Sequence, residues 1–482
     1  MIQEKSIEKS VEDLIYEDAE SYRDVIATVD QEGNRNWIFP RMPKGIWYQR
    51  RKIVSYFLLF LFFTVPFVKI NGNPFLMMNF IERKFVILGM PFWPQDFHLF
   101  VLAMISFFVF IILFTVAFGR LWCGWACPQT LFMEMVFRRI EFWIEGDAKA
   151  QKRLNEREWD TQKIWKRSLK YSLFYLISFM ISNTVLAYIF GIETVWEMMT
   201  APPASNWSRF TFMIGFSLVF YFVFAWMREQ ACIIICPYGR LQGVLLNKDS
   251  ISVMYDWIRG EPRGRRKKND VEQEKGDCID CKLCVQVCPT GIDIRNGTQL
   301  ECVNCTACMD ACDTVMNKIG KPKGLIRYDS HEGIKTQTAF KFTPRVIAYM
   351  VVLTAVLCVF GFSLASRNAV EATILRSPGV LYQETEDGFI QNVYNIQIVN
   401  KTKDEYPVEV ELVSHDGEIQ LVGDQLSLPA EGIAKGVLLV RIPKEEILQQ
   451  KTKIELEVRA KGELLDKSSS NFLGPMVIHY KD

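Results

Sequence analysis

Residues 276–313 read GDCIDCKLCVQVCPTGIDIRNGTQLECVNCTACMDACD and carry eight of the thirteen cysteines of a 482-residue chain. Cys278, Cys281, Cys284 and Cys288, with Pro289 behind them, follow the pattern C-x2-C-x2-C-x3-C-P, and Cys302, Cys305, Cys308 and Cys312 repeat the spacing. In this pattern three closely spaced thiolates wrap one corner of an iron–sulfur cube while the fourth reaches the other cluster. The spacing therefore predicts one 4Fe-4S cluster on Cys278, Cys281, Cys284 and Cys312, and a second on Cys302, Cys305, Cys308 and Cys288. Zinc sites also use C-x2-C pairs, but zinc calls for neither the third C-x2 step nor a duplicated, crossed fourth ligand. Asp313 stands where a proline would follow the second copy. It lies outside the ligand set and bears only on shielding and potential. Two clusters in so small a fold form a relay for single electrons, and what the relay connects has to lie elsewhere in the chain.

Outside this stretch the chain reads as a membrane protein. Aromatic residues make up 13% of it, and 53–70, 97–118, 171–190, 210–227 and 346–364 are long apolar runs. Each is near the roughly 20 helical residues that cross about 30 Å of hydrocarbon. Lys69 sits close enough to an end to snorkel. Between the second and third runs lie eleven Lys and Arg, whereas 191–208 holds none and 71–96 only Arg83 and Lys84. The positive-inside rule then places the N-terminus and the second and fourth connections in the cytoplasm, and the C-terminal domain outside. No cleavable signal is expected, because the first 34 residues are rich in acids such as Glu4, Glu8, Glu12, Asp13, Glu17 and Asp18 and lack an apolar core. A net charge of +1 gives no reason to expect nucleic acid as a partner.

Beyond the fifth run the pattern alternates with period two, as in VYNIQIV (393–399), VEVELV (408–413), GVLLVRI (436–442) and KIELEVRA (453–460). This suggests a small β-sandwich of immunoglobulin type. The expected fold is an α-helical membrane protein of about five transmembrane helices. Residues 1–40 form a flexible acidic tail, 41–250 a four-helix membrane domain, 251–344 an inserted cytoplasmic dicluster ferredoxin domain, 345–366 the fifth transmembrane helix, and 367–482 a periplasmic, all-β immunoglobulin-like sandwich. Twelve cysteines then fall on the reducing side. The thirteenth, Cys358, reads as a small buried apolar residue inside the fifth helix.

GRLWCGWACPQT (119–130) and REQACIIICPYGR (228–240) each close an even-numbered span with two cysteines four apart and a proline after the second. On a helix such residues share a face, so Cys123 with Cys127 and Cys232 with Cys236 present paired sulfurs. Three uses remain open: a thiolate site for Cu(I), which soft ligands favour, a dithiol–disulfide relay, or ligands for a further cluster. Lesser features have ordinary readings. RGEPRGRRKK (259–268) is a basic run of the kind that touches anionic lipid. Met77, Met78, Met198 and Met199 in the outer connections read as apolar packing, and His98 as an interfacial polar residue. No nucleotide-binding glycine loop stands out, so no built-in flavin or nicotinamide site is expected.

With FWPQDF, EGD and KGLIRY in order around these motifs, the chain resembles the cytochrome c oxidase accessory proteins of the CcoG type, also called FixG or RdxA. The resemblance runs from about Phe39 into the β domain, with GIWYQRR departing from the usual arginine-rich first segment. It implies a membrane polyferredoxin with a periplasmic immunoglobulin-like tail, in the bacterial inner membrane. The implied activity is that of a cupric reductase, turning Cu(II) into Cu(I) for assembly of a cbb-type haem-copper oxidase. Cys123, Cys127, Cys232 and Cys236 would take part in the reduction and the eight ferredoxin cysteines in cluster ligation. Implied partners are copper ions, oxidase subunits or copper-delivery proteins, and an electron donor that the residues do not name. Two alternatives are a quinol-oxidising subunit feeding another reductase, with a quinone pocket near Phe92 and Trp93, and a scaffold for oxidase assembly with purely structural clusters.

Overall fold

The computed structural model describes residues 28–475 apart from 30–31, 82–83, 265–274, 339–340, 380, 424–425, 448 and 461. The chain divides into two compact units. The first holds most of the helical bundle together with the ferredoxin stretch, and the second the β domain with part of the connection that precedes Phe97–Phe118.

In the first unit the helices follow the apolar runs. Among the described residues, four helices are long and apolar enough to cross a membrane: Phe97–Phe118, Thr161–Phe190, Trp207–Met227 and Pro344–Ala365. The first predicted run is different. Its helix is Ile46–Thr64, and Arg50, Arg51 and Lys52 occupy its opening turns, which leaves a shorter apolar length. It stops because Pro66 has no N–H to continue the ladder, and a 3-10 turn, Val65–Phe67, takes over. The bundle packs through aromatic rings: Phe137 stacks on Phe224 with centroids 4.5 Å apart and meets Phe174 edge-on at 4.8 Å. Such pairs are worth about 0.5–1.5 kcal/mol beyond their burial. Between Thr161–Phe190 and Trp207–Phe222, the Ser182 and Ser217 hydroxyls share a 2.7 Å hydrogen bond, the kind of polar link that joins helices where lipid offers no partner.

Two expectations change here. Cys358 is exposed on its helix rather than buried, because Pro344–Ala365 is only 6% buried across its apolar window and turns nearly all of its surface outward. The described end of the acidic tail is packed, not loose. Thr28 is buried and its carbonyl accepts from Gln230 Nε2. Arg35 lies 3.9 Å over the Trp37 ring and pairs with buried Glu229. Residues 1–27 lie outside the described residues.

In the second unit, Val370–Arg376, Phe389–Asn400, Ile433–Pro443 and Glu418–Val422 form one antiparallel sheet, with Gln383–Glu384 on its edge. Glu409–Leu412, Lys451–Ala460 and Glu463–Leu473 form another. Alternation buries one face of each strand, giving a core of Tyr394, Ile396, Ile398, Leu438, Val440, Leu456, Val458 and Phe472. Tyr394 Oη donates to Asn471 O at 2.9 Å and Asn392 Nδ2 to Leu473 O at 2.7 Å, tying the two sheets. Also in this unit, Asp96 is buried between Arg367 and Lys401.

Candidate redox centre

The two copies of the cysteine pattern fold alike. Asp280 and Lys282 flank Cys281 with φ of 49° and 56°, and Asn304 and Thr306 flank Cys305 with φ of 52° and 65°. Left-handed backbone costs a non-glycine residue roughly 1–2 kcal/mol, so its recurrence at matching positions marks a backbone shaped for something. Alternating handedness turns successive N–H groups inward, into the concavity that holds anions and iron–sulfur centres. Each loop runs into a helix, Leu283–Gln286 and Ala307–Lys318. The strands Ser252–Tyr255 and Ile326–Asp329 pair antiparallel in the same domain.

Two small cavities lie among these cysteines. Cys278, Cys281, Cys284 and Cys312 line one. Cys288, Cys302, Cys305 and Cys308 line the other, with Cys284 at its edge. The grouping is crossed: the last cysteine of each copy faces the triad of the other copy, so the residues present fit two cubes. Burial pushes the Cys284 and Cys302 thiols up to about 12 and that of Cys305 to about 11. A bare thiolate is disfavoured in these cavities, and a sulfur takes that form there with a metal to neutralise it. Arginines stand nearby. Arg295, lining the first cavity, is held by Asp293 and Asp280 and opposes the rise at Cys284. Arg51 and Arg120 do the same at Cys305 and Cys302. Asp313 continues the Ala307–Lys318 helix and accepts from Gly324 N at 2.9 Å, which is what it does in place of a proline.

The two C-x3-C-P pairs are built alike, but not as paired residues on one helix. Cys123 lies in the short helix Leu121–Trp125, while Cys127 is extended (φ −63°, ψ 123°) and caps the next helix, Pro128–Phe132. Cys232 lies in the π-helical turn Ala231–Ile235, and Cys236 (φ −63°, ψ 112°) caps Pro237–Leu245. The proline is the cause: it pushes the residue before it out of the α region while fitting the first helical turn itself. In both motifs the second cysteine's N–H reaches back to the carbonyl five residues earlier, Trp122 or Ala231, at 2.9 Å. The four sulfurs still lie near enough to act on one another, although among the described residues no three of them form a ready metal site. Burial pushes the Cys232 thiol up to about 12, and the neighbouring Cys127, Cys123 and Cys236 sulfurs act on it in the same direction. Burial likewise pushes Cys123 up to about 11, with Cys127 and Cys236 adding to the rise and Arg120 opposing it. Cys123 Sγ donates to Gln242 Oε1 at 3.4 Å.

Of this sulfur group, Cys123 meets the ferredoxin domain. Cys123 packs against a cluster of Val287, Val303, Cys305 and Ala307. A methyl on Gly124 would lie 2.3 Å from Val303 O and 2.8 Å from Asn304 O, so only a glycine permits this approach. Arg51 Nε donates to Gly124 O at 2.6 Å. Trp125 Nε1 donates to Tyr328 Oη at 2.9 Å, and that hydroxyl to Asn304 O at 3.2 Å. Arg120 spans the two sides through Leu300 O and Gly239 O. Asp310, on the helix bearing Cys308 and Cys312, accepts from Trp47 N and Tyr48 N and so caps Ile46–Thr64. Arg51, Arg120, Gly124 and Asp310 were not singled out in the sequence. Their signal was position alone, inside or beside the quoted motifs.

The lesser candidates stay apart from this group. Met77 is buried in the strand Leu76–Asn79, Met198 packs with Leu186 and Val195, and Met78 and Met199 are exposed. His98 is exposed at the start of its helix. Arg367 covers the Phe92 ring at 4.7 Å, which occupies one face of the ring suggested for a quinone. Arg259 is used inside the ferredoxin domain, against Asp277 and the carbonyls of Pro322 and Lys323, rather than at a lipid surface. Residues 265–268 lie outside the described residues.

Comparison with known proteins agrees with this layout. Residues 227–331 match a family model described as a 4Fe-4S dicluster domain, 100–148 one described as a 4Fe-4S binding domain, and 360–475 the IG-like fold at the C-terminal of FixG. Protein RdxA of Cereibacter sphaeroides is 35% identical over 76% of this chain and 80% of its own length. Protein RdxB of the same organism is 32% identical over 87% and 89%, and the nitrogen fixation protein FixG of Rhizobium meliloti 30% over 84% of each. The duplicated cysteine loops, the apolar helices and the C-terminal β domain thus occur together in one known set of proteins, and the chain belongs to the RdxA, RdxB and FixG family of iron–sulfur redox proteins.

Proposed function

We propose that the chain is a membrane-bound oxidoreductase that reduces Cu(II) to Cu(I) for the assembly of a cbb-type haem-copper oxidase. The observation that supports it most is the meeting of Cys123, Cys127, Cys232 and Cys236 beside the cavity that Cys305 lines. In this reading Cys278, Cys281, Cys284 and Cys312 hold one 4Fe-4S cluster and Cys288, Cys302, Cys305 and Cys308 the other. Bound there, the clusters supply single electrons at low potential.

The chain's own residues do the rest. The four half-buried sulfurs offer Cu a soft ligand set, which favours Cu(I) over Cu(II). Gln242 holds the Cys123 proton at Sγ until a metal ion displaces it. Gly124 keeps the sulfur group and the Cys305 loop in contact, so an electron has a short way to go. The step is a one-electron reduction, Cu(II) plus one electron giving Cu(I), with the thiol protons leaving as copper binds. The excess of Lys and Arg between the second and third spans supports an inner-membrane orientation with this site in the cytoplasm and the β domain in the periplasm. Partners in this reading are copper-delivery proteins or oxidase subunits.

The test is direct. Purified protein, reduced anaerobically and freed of reductant, receives Cu(II) in the presence of a chromogenic Cu(I) chelator. One Cu(I) should appear for each cluster reoxidised. Clusters that stay reduced in the presence of Cu(II) would overturn the reading.

A further inference from the structure

A cavity of about 350 Å³ opens on the ferredoxin domain, and none of the four copper-directed thiols lines it. Leu283, Val287, Ala311 and Lys318 line one side of it, and Arg41, Lys44 and Phe142 lie on the other. Leu283 also lines the cavity of Cys278, Cys281, Cys284 and Cys312, so one side chain separates the two spaces. Val287 packs with Cys305. An occupant would therefore rest on the residues that cover both cysteine sets.

The charge of the mouth is one-sided. Lys44 and Lys318 are exposed, and neither has an acidic partner among the described residues. Asp147 is the only acid in the lining, and it is engaged: Met42 N donates to it at 3.0 Å and Arg41 Nε lies 4.0 Å away. An apolar wall with two free cations at the rim suits a flat, apolar ring that carries an anionic tail. The volume is that of a small-molecule site, at the lower end of the range of about 300–1,000 Å³, and is too small for a protein surface.

We propose that this cavity binds the electron donor, and that the donor is a freely diffusing dihydroflavin mononucleotide. Clusters accept electrons singly, and a flavin can release them singly, whereas a nicotinamide passes a hydride and needs an acceptor for it. The exchange balances: the dihydroflavin loses two electrons and two protons to become oxidised flavin, each 4Fe-4S cluster gains one electron, and the protons pass to solvent at the open mouth. No glycine loop is needed, because the phosphate is held by lysine side chains and the flavin leaves after each turnover. The proposal rests on the reading of the ferredoxin domain as an electron relay, but not on copper as its acceptor.

The experiment uses full-length protein in detergent with oxidised clusters, mixed anaerobically with reduced FMN or with reduced riboflavin, which lacks the phosphate. The readout is bleaching of the cluster absorbance, with no copper present. Reduced FMN should give a saturable rate with a lower half-saturation than reduced riboflavin. Lys44→Glu with Lys318→Glu should raise the FMN half-saturation at least tenfold and leave riboflavin unchanged. Thr314, beside Lys318, also lines the cavity, and Thr314→Trp, which places bulk there without changing charge, should slow both flavins and spare a cationic viologen reductant. Rates that rise linearly with flavin, or that ignore the lysine and Thr314 variants, would overturn the proposal. Failure of copper reduction alone would leave it standing.

Discussion

Gly124→Ala is the sharpest perturbation the structure offers. The added methyl would lie 2.3 Å from Val303 O, 2.8 Å from Asn304 O and 2.9 Å from Asn304 C, where ordinary contacts begin at 3.4 Å. All three are backbone atoms of the loop that leads into Cys305, so no side-chain rotation relieves the clash. The loop and the sulfur group must separate by about an ångström, and overpacking of this kind costs about 1–3 kcal/mol. A one-electron transfer slows several-fold for each ångström added between its centres, and a several-fold loss in copper reduction is expected. None of the eight ferredoxin cysteines is altered, so iron content and the EPR signal of the reduced clusters should stay at the wild-type level. The assay is stopped-flow reoxidation of pre-reduced protein by Cu(II), run beside an EPR count of clusters. Wild-type copper reduction in a Gly124→Ala protein with full clusters would refute the reasoning that electrons cross at this contact.

Other outcomes follow from the same geometry. Cys127→Ser and Cys236→Ser should each keep normal clusters and lose Cu(II) reduction, and wild-type rates in both would make the pairs structural. Crossed grouping predicts that Cys312→Ala damages the cluster of Cys278, Cys281 and Cys284, and Cys288→Ala that of Cys302, Cys305 and Cys308. EPR of the surviving cluster in each variant distinguishes this from ligation within each copy. A reporter active only in the periplasm should work when fused after Asp482 and fail after Gly276, and the reverse would undo the assigned orientation. Burial alone would raise the Glu141 carboxyl, but Arg228 and Lys170 outweigh it and hold it down at about 2. A lowered folded value means stability that is present above the ordinary value of 4.5 and lost as pH falls toward 2. Glu141→Gln should lower the thermal midpoint at pH 7, with about 3–5 kcal/mol at stake from the broken buried pair, and should flatten the loss on the acid side. An unchanged midpoint would show that the pair carries no stability.

Much of this was legible because cysteine spacing and apolar run length are local signals. The crossed grouping of Cys288 with the second triad and of Cys312 with the first could be read from one line of sequence. So could the β alternation around Tyr394. Handedness of backbone could not: Asp280, Lys282, Asn304 and Thr306 are ordinary residues whose left-handed φ values are imposed by the loops they occupy. The i, i+4 reading of Cys123 and Cys127 failed on a residue in plain view. Pro128 ends one helical turn and starts another, which leaves Cys127 extended between them. Arg51 carries no such signal, because a charge at the start of an apolar run is usually solvated, whereas here it is 1% exposed and donates to Gly124 O.

The buried charges around the second sulfur pair explain how two such breaks are held in register. Arg228 has φ 55°, an arrangement that costs a non-glycine residue on the order of 1–3 kcal/mol. It stands between two π-helical turns, Val223–Met227 and Ala231–Ile235, the second of which contains Cys232. Its guanidinium forks onto Glu141 at 2.6 and 2.7 Å, and the neighbouring Glu229 pairs with Arg138 and Arg35. Its carbonyl accepts from Gln129, two residues beyond Cys127. A buried ion network of this size is a poor way to gain stability, because desolvation consumes most of what the pairs return. What it supplies is position. Arg138 and Glu141 lie in the run that begins at Pro128 and Glu229 lies just before Cys232, so the fork fixes one cysteine motif against the other. The π turns absorb the mismatch that leaves Arg228 facing Glu141. With this network setting the two motifs relative to each other and Gly124 setting the first against the Cys305 loop, the four sulfurs are held by contacts on every side that the chemistry would use.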